Sequence, residues 1–447
     1  MKNGGVFVLL SFGIRNYKSF KEETVFSMTA APKQKGLDYS VFEQTVSGKK
    51  HRVLSSAVIY GPNASGKTNL IGAMDVMKEI VLRGHIRNTN EGSLNQAANT
   101  LELIPFRGTK NVPTLFNIKF IEQGLLIEYT IELQLGSFLD KEFDRYIHNE
   151  TLKINDAIVY ERGKDVAVNI ENVKTKYLND KIDQNIESAK EIAFSGLNED
   201  ELFLTNGFKT IFAKDLVSLI LNWFQNKLTV IYRSDSIRML REYSDLESKK
   251  FYIEKTLTDV AKEFGIHSNA LGYIASQESE TTVLSSIIKD ENVKAVLPAE
   301  MYESYGTVRF VNEFPLIIDA LINGGTLVMD EFDASIHPMA LMNIINIFHN
   351  DDINIHHAQL IFNTHNPIFL NANLFRRDEI KFVERDDTTH AGEHYSLSDF
   401  KTFGERGVRK GEDYMKNYFV NQYGAIKDVD FSSILESIIS EGGNNDS

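Results

Sequence analysis

The chain has 447 residues, a formal net charge of −14 and no cysteine, so disulfides and cysteine-based zinc sites are excluded. The length leaves room for two or three domains and a large core without cross-links. No apolar run reaches the roughly 18 residues of a spanning helix, and Val6–Phe12 passes straight into Arg15, Asn16 and Lys18 as a buried strand would. A cytoplasmic protein with no membrane partner is therefore expected; the acidic balance disfavours a general DNA coat but leaves a local nucleic-acid groove possible.

In chain order, Val6–Phe12, Thr24–Met28 and Ser55–Tyr60 read as strands. Asn69–Leu82 places Leu70, Ile71, Met74, Met77, Ile80 and Val81 at helical spacing. An Asn-rich loop covers 86–100, Leu115–Ile121 and Leu125–Leu135 read as two strands around a turn, and 151–170 as another hairpin. From about Lys174 charge-rich helical stretches take over, at Asp183–Phe194, Ala213–Lys227 and Met239–Phe264. Val308–Leu321 reads as a helix starting or kinking near Pro315. Thr326–Met329 and Gln359–Asn363 are strands, Met339–His349 is a helix, and Glu441–Ser447 a small polar tail. The expected organisation is an N-terminal lobe at 1–173, a mostly helical insertion at 174–297, a C-terminal lobe at 298–400, and a partner-contact segment with its tail at 401–447. The fold class is α/β, a mixed sheet flanked by helices.

The sharpest motif is Gly61-Pro62-Asn63-Ala64-Ser65-Gly66-Lys67-Thr68, which fits G-x-x-x-x-G-K-[ST] between a strand and a helix. Glycines let such a loop turn its N–H groups toward phosphate oxygens, and the helix start adds its positive dipole end. Lys67 is expected on the β- and γ-phosphates of ATP and the Thr68 hydroxyl on Mg²⁺. The second motif is the strand Thr326–Met329 ending in Asp330 and Glu331. Asp330 is expected to hold Mg²⁺ and Glu331 to orient the attacking water.

About 260 residues separate Thr68 from Asp330, so a nucleotide-binding fold here must carry a large insertion. In that respect the chain resembles the ABC/SMC-type ATPase heads. Glu303-Ser304-Tyr305-Gly306-Thr307 is similar to their signature, with Glu303 and Tyr305 in place of the usual Leu and Gly. The resemblance implies that Ser304 and Gly306 bind the γ-phosphate held by an opposite subunit; the plainer alternative is that Ser304 caps a helix. Asp333-Ala334-Ser335-Ile336-His337-Pro338 is similar to the D-loop, implying that Asp333 and Ser335 touch the partner's site. His365, after the strand Gln359–Asn363, falls at the switch histidine. Phe12–Phe20 resembles the SMC-type opening, implying nucleotide contact from Arg15, Asn16 or Lys18. Pro105-Phe106-Arg107 stands where a Q-loop is expected, without a glutamine.

The P-loop, the signature segment and the tail Val408–Tyr414 with Tyr418 and Tyr423–Ile426 also resemble ATPases of bacterial anti-phage operons, the RloA-type proteins and the AriA ATPase of PARIS systems. That resemblance implies a homo-oligomer, at least a dimer, which holds or activates an effector nuclease and answers a phage-derived trigger. For the tail the alternative is a helix whose tyrosines pack on the core. Two other readings compete with this one. A DNA-clamping repair ATPase needs a coiled coil or basic groove, and the insertion shows no sustained heptads. A nuclease resembling the overcoming-lysogenisation family needs more than the 82 residues after His365 and more acids than Asp428 and Asp430 provide.

Overall fold

The apolar run at the N-terminus forms β1 (Phe7–Arg15), which pairs antiparallel with β2 (Thr24–Ser27). The computed structural model describes residues 7–32, 34, 36–87, 101–138, 143–173, 177, 186–232, 259, 262, 269–275, 282–290, 293–334, 336–402, 407–409, 411–427, 430–432, 434–436 and 438. Most of the loop at 86–100, nearly all of Met239–Phe264, and Ser335, Asp428 and Glu441–Ser447 lie outside them. A hairpin of β3 (Val41–Val46) and β4 (Lys49–Leu54) follows, which the apolar pattern alone did not separate. Then comes β5 (Ser56–Tyr60), buried at all five positions. It leads through the glycine loop into α1 (Lys67–Arg83), which stops at Gly84 in the left-handed conformation (φ 76°).

The next five strands alternate buried and half-exposed residues, as an antiparallel sheet with one covered face should. They are β6 (Thr114–Glu122), β7 (Leu125–Gln134), β8 (Tyr146–Ile154), β9 (Ala157–Arg162) and β10 (Val166–Val168). With β1 and β2 they make one sheet in the order β10-β9-β8-β7-β6-β1-β2.

The insertion is helical in its first part: α2 (Ile186–Ser195), α3 (Phe203–Asn206), α4 (Phe208–Ile211) and α5 (Lys214–Asn222), closed by a π turn at Trp223–Lys227. Trp223, fully buried, stacks on Phe120 of β6 at 3.9 Å and docks this part on the antiparallel sheet. Helix does not extend through the rest. After β11 (Leu228–Ile231) the described residues form β12 (Asn269–Ala275), β13 (Thr282–Asp290) and β14 (Val293–Pro298), a three-stranded antiparallel sheet. The β-branched residues of Thr282–Ile288 and Val293–Val296 suit a pleated strand better than a helix.

The remaining elements are α6 (Ala299–Tyr302), α7 (Tyr305–Asn323), β15 (Thr326–Met329), α8 (Pro338–Phe348), β16 (Gln359–Asn363), β17 (Ile380–Arg385), β18 (Gly392–Ser396) and α9 (Tyr414–Phe419). Helix α7 begins ten residues before Pro315, which sits within it rather than at its start. Its N-terminus is set by the Ser304 side chain, which accepts Thr307 N–H at 3.1 Å.

The second large sheet runs β11-β15-β16-β5-β17-β18, parallel except for β18. Its central strands are continuous apolar runs, as strands covered on both faces must be. The two lobes expected from the motifs therefore share one sheet: β5 lies between β16 and β17, about 300 residues further along. No helix among the described residues is long and apolar enough to cross a membrane.

One side chain joins the two large sheets. Gln359, fully buried at the start of β16, donates Nε2–H to Leu9 O at 3.1 Å and Leu54 O at 3.0 Å. Its Oε1 accepts Leu9 N–H at 2.6 Å and the Thr326 hydroxyl at 2.9 Å. Leu9 borders the place where the β1–β6 register shifts, so the amide stands in for a missing strand partner. Replacing Gln359 with Leu leaves these backbone groups dry and unpaired, each worth about 1–3 kcal/mol. Urea unfolding of Gln359→Leu should show a loss of at least about 3 kcal/mol, read as a lower midpoint at unchanged slope.

Candidate nucleotide site

The site lies at the C-terminal ends of β5, β16 and β15, three adjacent parallel strands, where open α/β sheets present their loops. After β5 the chain turns through Gly61 and Gly66 (φ 158° and 116°). A Cβ at Gly61 would meet Val383 O at 2.1 Å, and one at Gly66 would meet Ser19 Oγ at 2.5 Å. Only glycine lets the loop lie this close to β17 and to the end of the N-terminal motif. Ala64 between them is also left-handed (φ 61°). Pro62 is half-buried, Asn63 and Ala64 are exposed, and Ser65 is buried.

Lys67 begins α1 and is buried at 5% exposure. Its ammonium donates to Gly61 O at 2.7 Å and Pro62 O at 3.1 Å, inside its own loop. Burial lowers its pKa to about 8 against the opposing pull of Asp330, Glu331 and Asp333. An anion seated on the loop would supply the compensating charge. The Thr68 hydroxyl donates to Asp330 Oδ1 at 3.1 Å. A hydroxyl and a carboxylate meeting there form the hard-oxygen donor set that Mg²⁺ takes beside phosphates, so these residues fit both the nucleotide and the ion.

The structure thus brings together Gly61–Thr68, Asp330 and Glu331. Asp330 is buried and Glu331 exposed. His365 is exposed past β16; partial burial and then the Lys67 charge hold its pKa below the ordinary histidine value, leaving the ring neutral at pH 7. Asp333 is tied into the same loops, its Oδ2 accepting the Thr364 hydroxyl at 2.5 Å.

Ser304 and Gly306 stand apart. Among the described residues no hydrogen bond joins either to 61–68; the exposed Ser304 caps its own helix. The preceding Glu303 is held by Ser286 of β13 at 2.8 Å. The insertion's small sheet therefore supports the signature segment.

Three candidates of the N-terminal motif are engaged elsewhere. Arg15 pairs with Glu132 at 2.7 Å, and Lys18 pairs with Glu102. Asn16 is buried, donates to Val112 O at 2.6 Å and accepts Phe106 N–H at 3.0 Å, which occupies the Q-loop position structurally. The residue of that motif that reaches the P-loop is Ser19, which accepts Asn69 Nδ2–H at 3.0 Å. In the tail, Tyr414, Tyr418 and Tyr423 are buried, with Tyr418 stacked on Phe382 and donating to Ala425 O at 2.8 Å. They pack on the core, as the alternative reading held. Asp430 accepts Ser432 N–H at 2.8 Å, a capping contact.

The sequence reading missed Asn363. Fully buried at the end of β16, it donates Nδ2–H to Asp330 Oδ1 at 2.5 Å and accepts Glu331 N–H on Oδ1 at 2.5 Å. A polar residue closing an otherwise apolar strand was the available signal.

Comparison with curated proteins gives no match. Among solved structures the chain is similar to the SMC head domain from Thermotoga maritima, at 13% identity and TM-score 0.37 over 87% of this chain and 98% of that one. It is also similar to an Smc head bound to the C-winged helix domain of ScpA, at 12% identity and TM-score 0.40 over 87% and 97%. A third is an Smc head with an extended coiled coil bound to the C-terminal domain of ScpA derived from Pyrococcus furiosus, at 12% identity and TM-score 0.41 over 87% and 96%. Residues 56–371, from β5 past His365, match the family described as "AAA domain, putative AbiEii toxin, Type IV TA system". With most of its length and the whole candidate site inside that match, the chain belongs to this AAA-domain family.

Proposed function

We propose that the protein is an ATPase that closes two ATP sites by pairing with a second copy of itself, and that it serves as the regulatory subunit of a bacterial anti-phage defence system. The observation that carries the ATPase reading is the meeting of Lys67, Thr68, Asp330 and Asn363 at the ends of β5, β15 and β16. The family's toxin–antitoxin description supports the defence setting.

On this reading Lys67 leaves the carbonyls of Gly61 and Pro62 for the β- and γ-phosphates. Backbone N–H groups of 61–68 cradle the remaining oxygens. Thr68 and Asp330 would hold Mg²⁺, which when bound neutralises phosphate charge. Glu331 orients the attacking water and accepts its proton. His365, neutral, hydrogen-bonds the terminal phosphate. Ser304 and Gly306 face outward, so they serve the site of the second copy, and Asp333 lies at the same contact. Exposed Met301, Tyr302, Tyr305, Met339 and Ile368 near these loops suit a surface covered by a like chain.

An effector nuclease is the partner we assign, with a phage-derived trigger acting through it. Phe431, Ile434, Leu435 and Ile438 support a contact in the last segment: they recur at one-face helical spacing and are all more than half exposed.

Three outcomes follow. Lys67→Ala should weaken ATP binding at least about 100-fold by fluorescent-nucleotide titration, with the nucleotide-free melting temperature near wild type, because the buried ammonium is held by loop carbonyls alone; tight binding retained would remove the P-loop assignment. Glu331→Gln should bind ATP, slow hydrolysis by about 100-fold or more, and accumulate as a two-copy assembly on light scattering; wild-type turnover would rule out Glu331 as the base. Lys67→Ala and Ser304→Arg chains, each inactive alone, should regain hydrolysis when mixed, since one composite site then has an intact loop and an intact signature. A mixture as inactive as its parts would sink the split site.

A further inference from the structure

Glu331 has a left-handed backbone (φ 49°), a conformation uncommon outside glycine and held only where its surroundings impose it. Two elements impose it here. From β16, Asn363 Oδ1 accepts the Glu331 N–H at 2.5 Å. From α7, Arg309 Nη2 donates to the Glu331 carbonyl at 2.6 Å. The peptide groups on either side of the residue are therefore gripped, from opposite directions, while its carboxylate stays exposed.

Both holders are themselves fixed. Asn363 is 1% exposed and its other amide atom is bound to Asp330. Arg309 is 7% exposed, and its Nε donates to Glu313 Oε1 at 2.9 Å one turn along the same helix. A buried arginine aimed at a main-chain carbonyl from a neighbouring helix is an expensive arrangement for packing alone. Its planar fork fits this double contact, since one edge binds Glu313 while the other reaches Glu331, which a lysine cannot do at once.

We propose that Arg309 and Asn363 are positioning residues for hydrolysis, which clamp the Glu331 peptide in its left-handed turn and thereby aim the carboxylate at the water it activates. The inference rests on the reading of Glu331 as the residue that activates water. Asn363 also touches Asp330, so Arg309 is the cleaner of the two to vary.

The test compares Arg309→Lys, which leaves Glu313 a cationic partner, with Arg309→Met/Glu313→Leu, which removes the buried pair together and so leaves no charge stranded. Each is made in the full chain, alone and with Glu331→Gln. ATP affinity, single-turnover hydrolysis and thermal melting are measured. The expected result is a fall in the hydrolysis rate of about 10- to 100-fold, with ATP affinity within about twofold of wild type. Adding either change to Glu331→Gln should cause no further fall, because the clamp acts only through Glu331. A wild-type rate in both Arg309 variants, with Glu331→Gln inactive, overturns the clamp alone. So does a loss that multiplies with that of Glu331→Gln, which makes Arg309 independent of Glu331. A fully active Glu331→Gln overturns the underlying reading of Glu331 instead, so the two failures are told apart.

Discussion

Strand β16 carries a buried amide at each end, and the architecture depends on both. Gln359 at its start knits the antiparallel sheet to the parallel one. Asn363 at its end ties the acids after β15 to the strand beside the P-loop. Five residues, about 13 Å of extended chain, separate the joint of the scaffold from the ordering of the site. Neither amide faces water, so each must be satisfied in full, and that requirement fixes position more sharply than apolar packing does.

The parts of the site legible in the sequence are those whose chemistry is local. A glycine loop between strand and helix, and two acids ending an apolar strand, carry their geometry within a few residues. The strands Thr326–Met329 and Gln359–Asn363 were legible to the residue because apolar β-branched runs bounded by Gly or polar residues leave little ambiguity. Arg309 and Asn363 were not, because their roles exist only across tertiary contacts. On a helix, Arg309 reads as a solvated charge until Glu331 is placed next to it. The N-terminal Arg15 and Lys18 went the other way: they looked like ligands of an anion but satisfy Glu132 and Glu102.

The insertion shows where pattern reading lost its footing. Its first part has clear helical spacing and packs through Trp223 onto the sheet. Its last part alternates over short stretches between charged turns, and only the pairing of β12, β13 and β14 decides for strands. Pro315 likewise suggested a boundary, whereas the Ser304 cap and the buried face of α7 start the helix earlier. Tertiary packing overrides a single unfavourable residue when a long apolar face is at stake.

The threading of β5 between β16 and β17 has a consequence for the newborn protein. The phosphate loop emerges from the ribosome early, yet its strand has no neighbours until about 300 further residues have been made. At ordinary synthesis speeds that is roughly 15 to 60 seconds. During that interval the loop has no sheet to brace it and no acids opposite it, so the nascent chain cannot act on nucleotide. Competence arrives in one late step, when the final strands close around β5.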